Sequence, residues 1–472
     1  MIEIEARLDE LKALGLSRRT RLVSGPQGPH VVLDGKPVVL LCSNNYLGLA
    51  DHPRVRNAAA EAAMRWGVGA GSSRLVSGTM TIHRRLEERL AAFKSRETAL
   101  LFGSGYLANA GVVAALARPG DVVFSDELNH ASIIDGCRLS RAEVFIYHHR
   151  DVDHLAWGLA QSERRGSLIV TDSVFSMDGD VAPLEQIVEL AERHQVRVMV
   201  DEAHATGTLG PGGRGALAEA GLEDHVDVIV GTLGKALGSY GAFVACDRAM
   251  SKYLVNAART FIFSTALPPP AAAGALAALE ILEEEPRRVQ KLATNAAALR
   301  AELEREGFDL QGSRTQIMPL VVGDAELAMR ICEAALARGV FAQAIRPPTV
   351  PAGTSRLRLA VMASHRAVEL AGAARTIAQV ARAAGFEPRT APRIRVADTG
   401  EFTEVSERSA HARVWDDSDA AMAASSFDAE SGDAARLFDA ESGDATRRFD
   451  AQCGDVTRPF DYEAPAPVAR AA

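Results

Sequence analysis

The sequence predicts an α/β fold: a mostly parallel central sheet with helices on both faces, a smaller C-terminal α+β domain, and an acidic tail. Three observations predict it. Between residues 99 and 245, short apolar runs alternate with helical stretches, the pattern of strands buried on both faces and joined by crossover helices. From "STALPPPAAAGALAALEIL" onward, a long Ala/Leu-rich helix replaces that alternation. After Thr390, 17 Asp and Glu stand against 9 Arg, whereas the first 390 residues balance 44 acids with 43 bases.

Taken in order, residues 1–50 open with "MIEIEARLDELKALGL". Four acids and apolar residues at helical spacing predict a short amphipathic helix, followed by an extended segment. A signal peptide would begin basic and continue into an apolar core, so none is expected. Residues 51–268 form the large domain. Its strands are expected at 99–102, 122–124, 143–147, 168–171, 196–200, 226–230 and 242–245. Between them, Leu184–His194 carries Leu184, Ile187, Val188, Leu190 and Ala191 on one helical face. Residues 269–390 form the small domain, a long helix and then a helix–strand set ending near Arg382.

The tail, 391–472, repeats itself. "FDAESGDAARL", "FDAESGDATRR", "FDAQCGDVTRP" and "FDYEA" begin at Phe427, Phe438, Phe449 and Phe460, every 11 residues. One aromatic per unit cannot bury enough surface to offset the ordering of the chain. The composition predicts a disordered, soluble appendage. The sharper alternative is an array that docks an unknown partner, each Phe an anchor.

Whole-chain totals exclude several classes. Of 472 residues, 47% are apolar and 24% charged, ordinary for a soluble enzyme. The net charge of −9 argues against nucleic acid or an anionic membrane as partner. No run of ~18 apolar residues occurs, so no membrane span is expected. Five scattered cysteines without a CxxC predict a reducing compartment, the cytoplasm, and no structural metal.

In open parallel sheets, ligands bind beyond the carboxyl ends of the strands. Asp201-Glu202-Ala203-His204 follows one apolar run, and Thr232 and Lys235 follow another. Asp172 to Gly179, with Ser176, follows a third; Gly103-Ser104-Gly105-Tyr106 and Ser125 to His130 follow two more. A lysine, an aspartate, two histidines and hydroxyls therefore converge. Pyridoxal phosphate suits that set, because it needs a lysine for its Schiff base and a carboxylate for its ring nitrogen. Lys235 supplies the amine and Asp201 the carboxylate. Gly105 and Tyr106 offer backbone N–H groups at a helix start, and Ser176 and Thr232 add hydroxyls. Each residue also has a structural reading: a strand-end Asp is often a cap, a loop histidine is more often structural, and GSG before a helix is weak. The joint pattern, with Lys235 34 residues beyond Asp201, carries the case.

"GTLGKALGSYGA", "DEAHATGTLGPGGRG", "SVFSMDGDVAPL", "SNNYLGLA" and "GSGYLANAGV" together resemble the α-oxoamine synthases, fold type I pyridoxal phosphate enzymes. The likeness spans residues 18–380; the tail has no counterpart in it. The resemblance implies that Lys235 holds the cofactor and moves a proton. It implies that Asp201 keeps the ring nitrogen protonated, that His204 bonds the ring oxygen and that His130 stacks on the ring. Gly105, Tyr106, Ser176 and Thr232 would contact chiefly the phosphate. Ser264 and Thr265 would reach it from a neighbouring subunit, which implies a homodimer with shared sites. Arg358 would grip the amino-acid carboxylate and Asn44 would help to place it. Arg18 and Thr349 would line the acyl side, with Arg19 and Arg21 close enough to replace Arg18. "AIRPPTVPAGTSRLRL" and "STALPPP" look most like the branch that joins L-alanine to a pimeloyl thioester, on CoA or a carrier protein, in biotin synthesis. Glycine- or serine-using branches are the alternative.

Overall fold

The computed structural model describes residues 3–162 and 166–388, so the tail 391–472 and its repeats lie outside the described residues. All seven expected strands form one sheet. They are β1 (Thr98–Phe102), β2 (Val122–Asp126), β3 (Glu143–Tyr147), β4 (Ser167–Asp172), β5 (Arg197–Asp201), β6 (Val228–Thr232) and β7 (Ala242–Cys246). Their order is β1-β7-β6-β5-β4-β2-β3. β3, β2, β4, β5 and β6 pair in parallel, and β7 runs antiparallel to β6 and β1. The reversal follows from loop length: residues 233–241 are too few for the crossover of a dozen or more residues that a parallel connection needs. Because β1 reverses again, its carboxyl end lies with those of the parallel strands.

The strands are apolar throughout because both faces are covered. Val228, Ile229 and Val230 of β6 are fully buried, and the helix Leu184–His194 buries the five residues expected of it. Boundaries moved by one or two residues. β6 starts after Asp227, whose carboxylate accepts the Val198 N–H at 2.8 Å instead of joining the ladder. It then runs on through Gly231 and Thr232. β5 extends to Asp201, making that residue the last of a buried strand.

The expected long helix is Pro269–Glu284, followed by Arg287–Arg305, Ala325–Ala337 and Ala367–Ala383. These pack with an antiparallel sheet of β8 (Ile317–Gly323), β9 (Gln343–Ile345) and β10 (Ser355–Ala360), in the order β8-β10-β9. At the N-terminus, Val23–Ser24, His30–Leu33 and Lys36–Leu40 form a sheet with Val340–Phe341. The next residue, Leu41, donates to Phe341 O at 2.8 Å and accepts from Ala360 N at 2.7 Å. The chain carrying Asn44 is thereby clamped beside β10. The helix Ile4–Ala13 forms as expected but buries none of its residues. Among the described residues, no helix is long and apolar enough to cross a membrane.

Candidate active site

Two loops at the carboxyl edge of the large sheet build the centre. Beyond β5 the chain alternates sides. Asp201 and His204 turn toward the site, while Glu202 turns away to meet Lys94 Nζ at 2.7 Å and Leu217 N at 2.8 Å. That ion pair is fully buried, and it pins the loop from behind. Beyond β6, Thr232 and Leu233 lead to Lys235. Gly238 lets this loop close: its φ is +59°, and a Cβ there would stand 2.4 Å from Ala50 N.

Lys235 Nζ lies 2.7 Å from His204 Nε2. The other ring nitrogen of His204, Nδ1, lies 2.7 Å from the Tyr46 hydroxyl. Burial holds the imidazole well below its usual pKa, and the charges of Lys235, Arg358 and His130 add to that. Burial also brings Lys235 down to about 8, against the pull of Asp201 and Asp172 and aided by Arg358. The lysine thus keeps a reactive neutral fraction near physiological pH.

Asp201 is buried and makes no ion pair among the described residues. Its Oδ1 accepts from Ala203 N at 2.7 Å and its Oδ2 from Asn109 Nδ2 at 2.6 Å. The strand register sets Asp172 directly beside it. Burial, and then the Asp201 charge, raise the Asp172 carboxyl well above the carboxylate range. His130 caps the helix Ala131–Ser140 through Nδ1, which accepts from Ser132 N at 3.2 Å. Its own N–H donates to Asp172 Oδ2 at 2.7 Å. Burial lowers the His130 pKa, Lys235 adds to the lowering, and Asp201 opposes it.

Arg358, on β10, is almost fully buried and closes the other side. Its Nε donates to Ser176 O, and its Nη2 donates to Asn44 Oδ1 at 3.2 Å and Tyr46 Oη at 3.4 Å. This joins Arg358 to Asn44, and also to the Ser176 backbone, a partner not expected from the sequence. Thr232 spends its hydroxyl locally, donating to Gly241 O at 3.1 Å and accepting from Gly234 N at 3.2 Å. Gly105 begins the helix Gly105–Leu116, with Ser104 as its cap, and faces open space. Tyr106 is exposed and donates to Asp135. Arg18 donates to Pro347 O at 3.1 Å, two residues before Thr349. Arg19 and Arg21 instead pair with Glu333, which leaves Arg18 as the arginine on that segment. Within this chain, Ser264 and Thr265 make no bond to the Lys235 cluster; Thr265 bridges to Ser73. Tyr46, Asn109 and Asp172 are parts of the centre that sequence reasoning did not single out as site residues.

The donor set fits pyridoxal phosphate. A buried carboxylate without a cation matches a protonated ring nitrogen, and an amine near pKa 8 matches imine formation. The open, glycine-lined helix start matches a phosphate. The model for aminotransferase class I and II matches residues 36–377. The chain belongs to that family. The chain is 52% identical to an 8-amino-7-oxononanoate synthase of Citrifermentans bemidjiense, covering 80% of this chain and 98% of the relative. It is 54% identical to that of Anaeromyxobacter dehalogenans, covering 80% and 95%. Among solved structures, Sphingomonas wittichii serine palmitoyltransferase aligns with a TM-score of 0.77 at 31% identity, over 81% of this chain and 97% of that one. The Francisella tularensis 8-amino-7-oxononanoate synthase aligns with a TM-score of 0.64 at 26% identity, over 73% and 98%. The resemblance to the α-oxoamine synthases holds, the fold is that of fold type I enzymes, and pyridoxal phosphate is the family's cofactor.

Proposed function

We propose that this chain is an 8-amino-7-oxononanoate synthase, which condenses L-alanine with a pimeloyl thioester and releases CO2 and the free thiol, a step of biotin synthesis. One observation carries the reading. The Lys235 amine and the Arg358–Asn44 carboxylate seat lie on opposite sides of Tyr46 and His204, in a chain about half identical to named synthases of that activity.

Pyridoxal phosphate, when bound, supplies the electron sink that lets the alanine Cα lose a proton. Lys235 anchors it, then takes the proton from Cα and returns it after CO2 has left. Asp201 holds a proton at the ring nitrogen. His204 keeps Lys235 Nζ in place, and His130 covers the ring. Arg358 takes the alanine carboxylate with the paired N–H groups that a lysine lacks, beside the Asn44 carboxamide. Gly105, Tyr106, Ser176 and Thr232 hold the phosphate end, joined by Ser264 and Thr265 of a second subunit. Arg18 and Thr349 flank the acyl chain. The enzyme is therefore a homodimer with shared sites, and the unpaired cysteines suit the cytoplasm.

The serine palmitoyltransferase structural neighbours favour one competing reading, a serine- or glycine-using synthase. Purified protein assayed for CO2 and thiol release, with alanine, glycine and serine against pimeloyl and palmitoyl thioesters, decides it. Alanine with the pimeloyl ester should exceed every other pair. A preference for serine with the long acyl chain would transfer the chain to the other branch.

A further inference from the structure

We propose that Tyr46 is a positioning residue: it sets which nitrogen of His204 carries the proton, and so whether Lys235 Nζ is held as a neutral base. This rests on the reading of Lys235 as the amine that takes the cofactor.

The argument is a count of protons. A neutral imidazole carries one proton on two nitrogens, and His204 is held neutral by its burial. Its Nε2 meets Lys235 Nζ at 2.7 Å and its Nδ1 meets Tyr46 Oη at 2.7 Å. Tyr46 is fully buried. Its oxygen takes an N–H from Arg358 at 3.4 Å. Its single proton has two possible acceptors, His204 Nδ1 and Asn44 Oδ1, the latter 3.0 Å away.

Two arrangements set the limits: a proton on Nε2 excludes an ammonium at Lys235, whereas a neutral amine can either accept from Nε2 or donate to it. In the first, Tyr46 donates to Nδ1, Nε2 carries the proton, and it donates to the lone pair of a neutral Lys235 amine. In the second, an ammonium donates to Nε2, Nδ1 carries the proton and donates to Tyr46, and Tyr46 donates to Asn44. The second arrangement holds one proton more than the first, taken from solvent, so the line from Asn44 to Lys235 reorients as the lysine titrates.

The charged surroundings bias the switch. Arg358 on β10 points an N–H at the Tyr46 oxygen, and a cation there makes the hydroxyl a stronger donor. Asn44 Oδ1 is already engaged by Arg358 at 3.2 Å. Both favour the first arrangement. His130, from the loop after β2, faces His204 with an imidazole that burial holds below its usual pKa, whereas Asp201 and Asp172 pull Lys235 toward the ammonium. The Gln316 carboxamide donates to the His204 backbone oxygen at 2.9 Å and also bonds the Tyr46 hydroxyl, so it stands beside Arg358 at that oxygen. Beside burial and the Arg358 charge, Tyr46 is the hydrogen-bond link that favours a neutral lysine.

The test removes one oxygen. Apoenzyme of wild type and of Tyr46→Phe is mixed with pyridoxal 5′-phosphate from pH 6 to 10, and the growth rate of the visible band is followed. The neutral amine is the reactive species, so the rate rises through the lysine pKa. The wild-type midpoint is expected at about 8. In Tyr46→Phe the first arrangement loses its donor, and the midpoint should rise by about one pH unit, a tenfold loss of amine at neutral pH. A midpoint that coincides with wild type overturns the proposal. Should Tyr46→Phe fail to fold, Asn44→Ala carries the test with the opposite sign. It removes the competing acceptor, so its midpoint should stay or fall, and a rise overturns the proposal. A band that survives in Lys235→Ala would instead remove the reading of Lys235 itself.

Discussion

Replacing Asp201 by Asn separates two effects of one carboxylate. The change keeps size and removes charge. That charge raises the Lys235 pKa against the burial that brings it to about 8. Opposite charges in close, buried contact shift a pKa by roughly one unit or more, so Asp201→Asn should move the cofactor-capture midpoint about one unit lower. At pH 7 the neutral amine fraction is about 10% for a pKa of about 8 and about half for a pKa near 7. Capture at that pH should therefore quicken several-fold. Turnover should move the other way. A charge-assisted hydrogen bond to the ring nitrogen is worth ~1.5–3 kcal/mol, which corresponds to roughly a 10- to 150-fold loss of kcat. Stopped-flow absorbance reads the first quantity and CO2 release the second. A variant whose capture slows at pH 7, or whose kcat matches wild type, would refute the double role of Asp201, raising the lysine pKa and pairing with the ring nitrogen.

Asp172→Asn tests the neighbouring carboxylate. Burial and then the Asp201 charge raise the Asp172 carboxyl well above its usual range, so the neutral amide is a close substitute and can still accept the His130 N–H. Its kcat should stay within about fivefold of wild type, and a loss as deep as that of Asp201→Asn would exchange the two roles. Arg358→Lys should raise the alanine KM about 10- to 100-fold, because one ammonium cannot reproduce the fork to carboxylate, Asn44 and Ser176. Titration with alanine, following the cofactor spectrum, measures it. His149 sits between Asp126 at 2.9 Å and Asp180 at 2.8 Å. Burial opposes its charge, yet the bonds and charges of the two aspartates outweigh that and raise it to about 10. The stability this contributes is complete below the unfolded value near 6.5 and is lost as pH rises through about 10. Urea melts of wild type and His149→Gln should thus differ by a few kcal/mol at pH 6 and converge above pH 10; parallel pH curves would contradict it.

The large sheet was legible because each strand announces itself locally. A run such as Val228-Ile229-Val230, buried on both faces, needs no distant information. The same locality exposed Asp201, His204 and Lys235, since each follows such a run. What escaped was the pairing between distant segments. Tyr46 stands 158 residues from His204; the motif "SNNYLGLA" pointed to Asn44, but nothing local says that the tyrosine beside it meets that histidine. Asn109, 92 residues from Asp201, did leave a trace. It is the lone amide in the apolar helix "GYLANAGVVAAL", where a buried polar side chain demands a partner.

Asp172 escaped for a different reason. It was seen at the end of its strand, but its role depends on register. Parallel pairing of β4 with β5 sets Asp172 opposite Asp201, and two buried carboxylates at that spacing cannot both hold charge. One accepts a backbone N–H from the His130 cap; the other accepts from Asn109 and Ala203. Their hydrogen-bond partners therefore come in part from Asn109 on the helix Gly105–Leu116 and from His130, the cap of Ala131–Ser140, which no strand sequence contains. The large sheet supplies the positions of the two carboxylates, and residues of the helices packed against its carboxyl edge supply partners that strand patterning cannot reveal.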